Sequence, residues 1–380
     1  MMVSAETKET RWPLALAATL ALGVAGSCSS VLLPALIGSF AHLAQLTGAQ
    51  AAIVASIEMA AMTVSAAIVA LSLRWIGVRR FAVGALIGFA VANLVSGLAT
   101  TMPSLALVRA TSGLSEGTLM ATMSAALAGG RSPARAFALS MALNLSVSAL
   151  GFDLLPKLVE SCGPAALYYG LAVLAVPGLL LSPWLCAARA DRAGEEAGAT
   201  SGPDNLAPIV VALFAALALF TAAGAVWAVV GRVGLELGLT EGRVGAVLGG
   251  ATLAGIVAGL GASWIGGRLS RPTILALSTL LLAAAMIGFP LLRTSGAFPF
   301  LTDAMMGCYV LAAPFYLGVV ARLDPTGKLA AAFIAVQYAG FAIGPALAAP
   351  FLNSGVYGVF WVGTGLCGIA LPLILLADAK

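Results

Sequence analysis

Twelve apolar runs, each about as long as a bilayer-crossing helix, divide this chain almost from end to end. A helix rising 1.5 Å per residue needs roughly 20 residues to cross a hydrocarbon layer. Cutting at charged or Gly/Pro-marked breaks places the runs near 13–37, 50–73, 80–101, 103–128, 134–157 and 163–186. A second set lies near 207–233, 242–265, 273–292, 298–321, 329–352 and 355–377. They are too long and continuous for barrel strands, which alternate over about 10 residues. Only 9% of the 380 residues are Asp, Glu, Lys or Arg, and 61% are hydrophobic. A soluble domain carries about 25% charge, so this chain lacks the charge to cover a globular surface. The expected fold is all-α and integral to a membrane.

The opening "RWPLALAATLALGVAGSCSS" imitates a secretory leader, but its apolar run continues past Cys28 to about Ile37. It reads as a first span. Lys and Arg assign sidedness. Loops on the N-terminal side hold Lys8, Arg11, Arg74, Arg79, Arg80, Arg131, Arg135, Arg189, Arg192, Arg268, Arg271, Arg322 and Lys328. The opposite loops hold Lys157, Arg243 and Arg293. The positive-inside rule places both termini in the cytoplasm of a cell with this protein in its inner membrane. The hydrophilic stretch 187–205, rich in Gly, Ala and mixed charge, reads as a cytoplasmic linker between six-span bundles at 1–186 and 206–380. A net charge of +4 spread along such a chain is loop bias, not a nucleic-acid patch.

An offset of 193 residues lines the halves up. "LTGAQ" at 46–50 meets "LTEGR" at 239–243, Asn144 meets Gln337, and Gly151 meets Gly344. A duplicated unit with an even number of helices gives parallel halves. Such halves place a solute site at their interface near the midplane and work by rocking.

The fourth run carries "LALVRATSGLSEG", an L-x-x-x-R-x-x-x-G-x-x-x-G pattern through Leu105, Arg109, Gly113 and Gly117. The eleventh carries "GFAIGP", Gly340 to Pro345, with Gly344 before the proline. The loop after the second run reads "ALSLRWIGVRR", with Gly77, Arg79 and Arg80. Over its full length the chain resembles the major facilitator superfamily, in particular bacterial members of the sugar- and drug-efflux type. The resemblance implies two parallel six-helix bundles, alternating access, and gating or helix-packing roles for those glycines, arginines and Pro345. The chain departs from the pattern at Ala70 and Arg74, where glycine and an acid are usual, and at Phe152, where antiporter-type members have proline.

Ionisable residues inside a membrane cost about 2.5–3.5 kcal/mol each at the bilayer centre and so are functional candidates. Arg109 and Glu116 lie seven apart, on one face with Gly113 and Gly117. At about 10 Å along the axis they read as too distant to pair within one straight helix. Each is therefore expected to face a partner helix or an aqueous cleft between the halves. Glu58 has no basic residue within reach along its own helix and is a candidate proton carrier. Together Glu58, Arg109 and Glu116 form the expected coupling path. Asn144 and Gln337 are expected to line the solute site, with Tyr338, Tyr309 and Trp227 as its aromatic walls; the alternative is that the amides bridge helices. Asp153 and Lys157 read as a helix-end ion pair, Arg232 as a snorkelling side chain, and the Gly-rich 245–261 as a packing face.

One histidine, scattered acids and five unpaired cysteines leave no catalytic or metal-ligating set. No enzyme, cofactor, metal or nucleic-acid partner is expected. The expected partners are a small-molecule solute, protons and the lipid bilayer, and the expected state is a monomer. The reading is a secondary active transporter, with proton-coupled efflux by antiport first and proton-coupled uptake of a small organic acid or sugar second. A non-transporting membrane receptor or scaffold is the alternative of another class.

Overall fold

The computed structural model describes residues 11–128, 133–185, 206–265, 268–323 and 328–379. The 187–205 linker and Cys186 lie outside the described residues. Within them every regular element is helical: α1 (Arg11–Val31), α2 (Leu33–Leu43), α3 (Gly48–Ile76), α4 (Val78–Ser96), α5 (Met102–Ala128), α6 (Pro133–Cys162), α7 (Ala166–Val173) and α8 (Ala175–Leu181). After the linker come α9 (Leu206–Glu236), α10 (Glu241–Ile265), α11 (Arg271–Leu292), α12 (Ala297–Leu323), α13 (Lys328–Ala348), α14 (Phe351–Ser354) and α15 (Gly358–Asp378).

Eleven of the segments are long and apolar enough to cross a membrane. Their outward faces are greasy: Phe300 is 77% exposed, and Leu107 and Val257 are 71% exposed. Polar side chains meanwhile turn inward, the reverse of a water-soluble surface. The chain is a multi-pass membrane protein. The fourth of the twelve expected spans is the exception. It forms the 27-residue helix α5, long enough to cross, but Arg109, Glu116 and a run of Ser, Thr and Gly dilute its apolarity.

The expected first span is also different in detail. It breaks at Leu32, between α1 and α2, because Pro34 near the start of α2 has no N–H for the helical ladder. Beyond the break the chain stays helical to Leu43. Gly77 turns α3 into α4 at φ +85°, ψ 146°, a backbone region open to glycine alone.

Helix pairings recur along the chain. Within the first half α3 packs on α5, α4 on α5, α1 on α6 and α1 on α8. Within the second half α10 packs on α12, α11 on α12, α9 on α13 and α9 on α15. Across the halves α3 meets α13, and α6 meets α10. Glycines set the closeness of these contacts. A Cβ on Gly344 would meet the backbone of Gly224 and Ala225, and one on Gly340 the Phe220 side chain and the Thr221 backbone nitrogen. At the α6–α10 seam a Cβ on Gly245 would meet the Phe152 carbonyl oxygen. Small residues let helix backbones touch where lipid offers no hydrophobic drive to associate.

Gly344→Leu should therefore destabilise the fold by about 1–3 kcal/mol or more, since backbone atoms cannot step aside. Gly84, whose added Cβ would meet nothing within 4 Å, should tolerate alanine. Unfolding midpoints of the two variants in detergent compare the sites directly.

Candidate functional site

Gly113 and Gly117 face α3. A Cβ on Gly113 would meet the carbonyl oxygen of Glu58, and one on Gly117 that of Met62. The arginine one turn before Gly113 thus lies beside the stretch of α3 that carries Glu58. The L-x-x-x-R-x-x-x-G-x-x-x-G pattern is a device for bringing an acid on one helix to a cation on the next.

Arg109 and Glu58 are both fully buried. The guanidinium meets the carboxylate two-pronged: Nε donates to Glu58 Oε2 at 3.1 Å, and Nη2 donates to Oε1. Nη1 donates to Asn93 Oδ1 at 2.9 Å and Ser96 Oγ at 3.4 Å, and Nη2 also donates to Ser29 Oγ at 3.1 Å. Its five N–H groups thus all have acceptors, drawn from α1, α3 and α4. Phe40 and Tyr168 stack 6.3 Å apart at 7°, with their centroids 5.7 and 5.8 Å from the guanidinium carbon. Aromatic faces there add cation–π attraction.

Glu116, also fully buried, joins this cluster through a hydroxyl. Ser29 Oγ donates to Glu116 Oε1 at 2.7 Å, and Ser112 Oγ donates to the same oxygen at 3.0 Å. Arg109 Nη2 lies 3.8 Å from it. The other carboxylate oxygen, Oε2, is buried and has no hydrogen-bond partner. Tyr338, on α13 in the second half, lies within electrostatic reach of Glu116.

Two sequence expectations change here. Arg109 and Glu116 do approach each other, because the long arginine side chain closes most of two helical turns. Glu58, with no basic residue within reach along its own helix, has its cation on a different one. The charged groups do not face an aqueous cleft between the halves; in this conformation they are sealed inside the first one. Ser29, Asn93, Ser96 and Ser112 were missed as partners, and polar residues three apart on α4, Asn93 and Ser96, were the available signal.

The expected solute-lining residues divide. Gln337 Nε2 donates to the Tyr309 hydroxyl at 3.3 Å. Tyr309 also sits edge-on to Phe220 and Phe341. Asn144 lies on α6 with a buried, unpartnered Oδ1, near Gly23 of α1. Trp227 spends its indole N–H on the Val31 carbonyl at 2.9 Å, across the halves and at the α1–α2 break. It also packs edge-on against Phe152 of α6. Arg79 and Arg80 are exposed and form no ion pair among the described residues. Pro345 lies inside α13.

A cavity of about 550 Å³ opens between the halves at the face away from the termini, lined by α2, α6, α9 and α10. None of Asn144, Gln337, Tyr338, Tyr309 and Trp227 is on its wall, though Phe152 is. Lys157 donates to Asp153 at 2.8 Å at the exposed end of α6, and Arg232 pairs with Glu236 at 3.2 Å.

No protein-family model and no curated sequence matches the chain. Among solved structures it resembles the crystal structure of the human organic anion transporter MFSD10 (TETRAN). The TM-score is 0.70 at 17% identity, over 95% of this chain and 99% of that one. The chain has the fold of that transporter, which is a major facilitator protein and not an enzyme. Likeness at this identity speaks for the fold.

Glu58→Ala leaves the Arg109 charge buried without its main counter-charge and should cost about 3–5 kcal/mol of stability. The double variant Glu58→Leu, Arg109→Leu should lose less than the single change. Thermal unfolding in detergent, run as a double-mutant cycle, checks the coupling.

Proposed function

We propose that the chain is a secondary active transporter that moves a small organic solute by alternating access between two six-helix bundles. The bundles comprise 1–186 and 206–380, joined by 187–205, with α5 as the fourth crossing, which completes the twelve. The recurring helix pairings and the 27-residue length of α5 support this division. The observation that carries the reading is the cavity between the halves, lined from both and open at one face. A blind pocket on a seam is what rocking bundles expose to one side at a time.

Coupling rests on the charge count of the sealed cluster. With both acids ionised, Glu58, Arg109 and Glu116 carry one excess negative charge away from water. Burial of an uncompensated charge is strongly unfavourable, and one proton on the pair of acids cancels it. Glu58 is held two-pronged by Arg109, whereas Glu116 keeps an open oxygen. Glu116 is therefore the proton carrier, Arg109 and Glu58 are its positioning partners, and Tyr338 stands on the opposite bundle. Gln337, Tyr309 and Asn144 line the deeper solute path when the bundles part. The exposed arginines at the termini face, with the positive-inside rule, give an inner-membrane protein with both termini in the cytoplasm and a cavity opening outward. Proton-coupled efflux by antiport fits that orientation, and each monomer carries a complete cluster and seam.

Uptake of an organic acid anchored by Arg109 is the second reading, and the organic-anion neighbour gives it weight. Against it, all five Arg109 donors are already taken. A solute carboxylate would have to displace Glu58.

Glu116→Gln should abolish flux driven by a pH gradient in proteoliposomes, for the solute that a thermal-shift screen of sugars, aromatic acids and cationic drugs selects. Solute exchange at equal pH should survive. Unchanged pH-driven flux would remove the coupling assignment. Solute binding without any flux, in the unaltered chain and in Glu58→Gln, Arg109→Gln and Glu116→Gln alike, would favour a non-transporting scaffold.

A further inference from the structure

The cavity between the halves separates its chemistry by depth. Its lower wall is apolar: Pro34 and Ile37 of α2, Phe152 and Leu155 of α6, Leu248 of α10 and Ala228 of α9. Charge is confined to the rim, where each group already has company. Arg232 gives its Nε to Glu236 at 3.2 Å, and Glu241, 55% exposed, sits 3.8 Å from His42 of the opposite half. No buried charged side chain among the lining residues points into the pocket. Below it, the Trp227 indole holds the Val31 carbonyl and packs on Phe152, and the wall includes Phe152 from that pair. The volume of about 550 Å³ falls within the roughly 300–1,000 Å³ of small-molecule sites.

A charge carried down to the apolar wall would lose its hydration and find no counter-charge there, a loss of several kcal/mol, since Arg232, Glu241 and His42 stay at the rim in partly exposed pairs. A sugar would leave most of its hydroxyls facing aliphatic carbon. An uncharged molecule with an apolar body and one polar end suffers neither loss. Its body would replace water against Ile37, Leu155 and Leu248, and its polar end would reach the wet rim at Gln45 and His42.

We infer that this cavity is a binding site for uncharged amphipathic solutes, an outer station of the transport path proposed above and separate from the Arg109 cluster. The inference rests on that transport reading for its role, though binding itself is measured without flux. It also assigns this chain a solute class different from organic anions.

Three probes with one two-ring body test it: naphthalene-2-methanol, naphthalene-2-carboxylate and 2-naphthylmethylammonium. Leu235, on the rim and 45% exposed, is changed to cysteine in a Cys162→Ser background, and maleimide labelling of the introduced thiol is followed by peptide mass. Saturating naphthalene-2-methanol should slow labelling at least about fivefold, and the two ions should not. Equal protection by all three, protection by none, or protection by an ion alone overturns the inference. In the second measurement, Val159→Trp, which fills part of the cavity, should remove thermal stabilisation by the alcohol, whereas Glu116→Gln should keep it. Loss in Glu116→Gln would move the site to the ion cluster and also overturn the inference. The failures are distinguishable: protection without gradient-driven flux refutes the transport reading, and flux without protection refutes this one.

Discussion

A guanidinium withdrawn from both water and lipid must find an acceptor for every N–H, because each unmet donor costs on the order of 1–3 kcal/mol. Arg109 meets that demand with Glu58, Asn93, Ser96 and Ser29. These four come from three helices other than its own, so α1, α3 and α4 can sit in only one arrangement around α5. Gly113 and Gly117 follow from the same requirement. Without them α3 would stand too far off for Glu58 to grip the cation. The first half is organised around satisfying one charge.

The second half reproduces the frame without the charge. At the 193-residue offset Arg109 corresponds to Thr302, Glu58 to Ala251, Glu116 to Tyr309 and Asn93 to Met286. The helix contacts correspond, α3–α5 with α10–α12 and α4–α5 with α11–α12, yet Thr302 merely donates to the Phe298 carbonyl of its own helix. Aromatic contacts among Phe220, Phe333, Phe341 and Tyr309 join α9, α12 and α13 there. An even fold with an uneven distribution of charge gives the halves different work. One holds a buried ion cluster; the positions that correspond to it in the other are neutral.

The helical frame was legible because twenty-residue apolar runs and loop arginines are one-dimensional signals. So were the Asp153–Lys157 pair and the packing role of the Gly-rich 245–261, where Gly245 and Gly249 lie against α6 and Gly255 against α12. The site was legible only as separate members. Glu58 and Arg109 are 51 positions apart, and nothing along the chain states that they meet. Ser29, Asn93 and Ser112 look like ordinary small polar residues until a guanidinium or carboxylate is seen beside them. The misjudged Arg109–Glu116 separation has a specific cause: axial rise was counted and the reach of the arginine side chain was not. Trp227 was read as a ligand wall from its aromaticity; its N–H bond to Val31 sits at a helix break that sequence periodicity smooths over.

That break connects the two regions of the molecule. Pro34 interrupts the first crossing, and α2 beyond it carries both Phe40, which covers Arg109, and Pro34 and Ile37, which line the cavity. Ser39, also on the cavity wall, donates to the Tyr168 hydroxyl of the same aromatic cover at 3.2 Å. A displacement of α2 about the break would therefore alter the cavity and the lid of the ion cluster together. Trp227, from the opposite half, holds the Val31 carbonyl at the hinge. If Glu116 carries the proton and the cavity the solute, as proposed, the two sites share one mechanical element in α2. Coupling of two sites needs an element with two arrangements that both ligands bias; α2 begins at the Leu32 break, touches both the aromatic cover of the ion cluster and the cavity, and is placed to be that element.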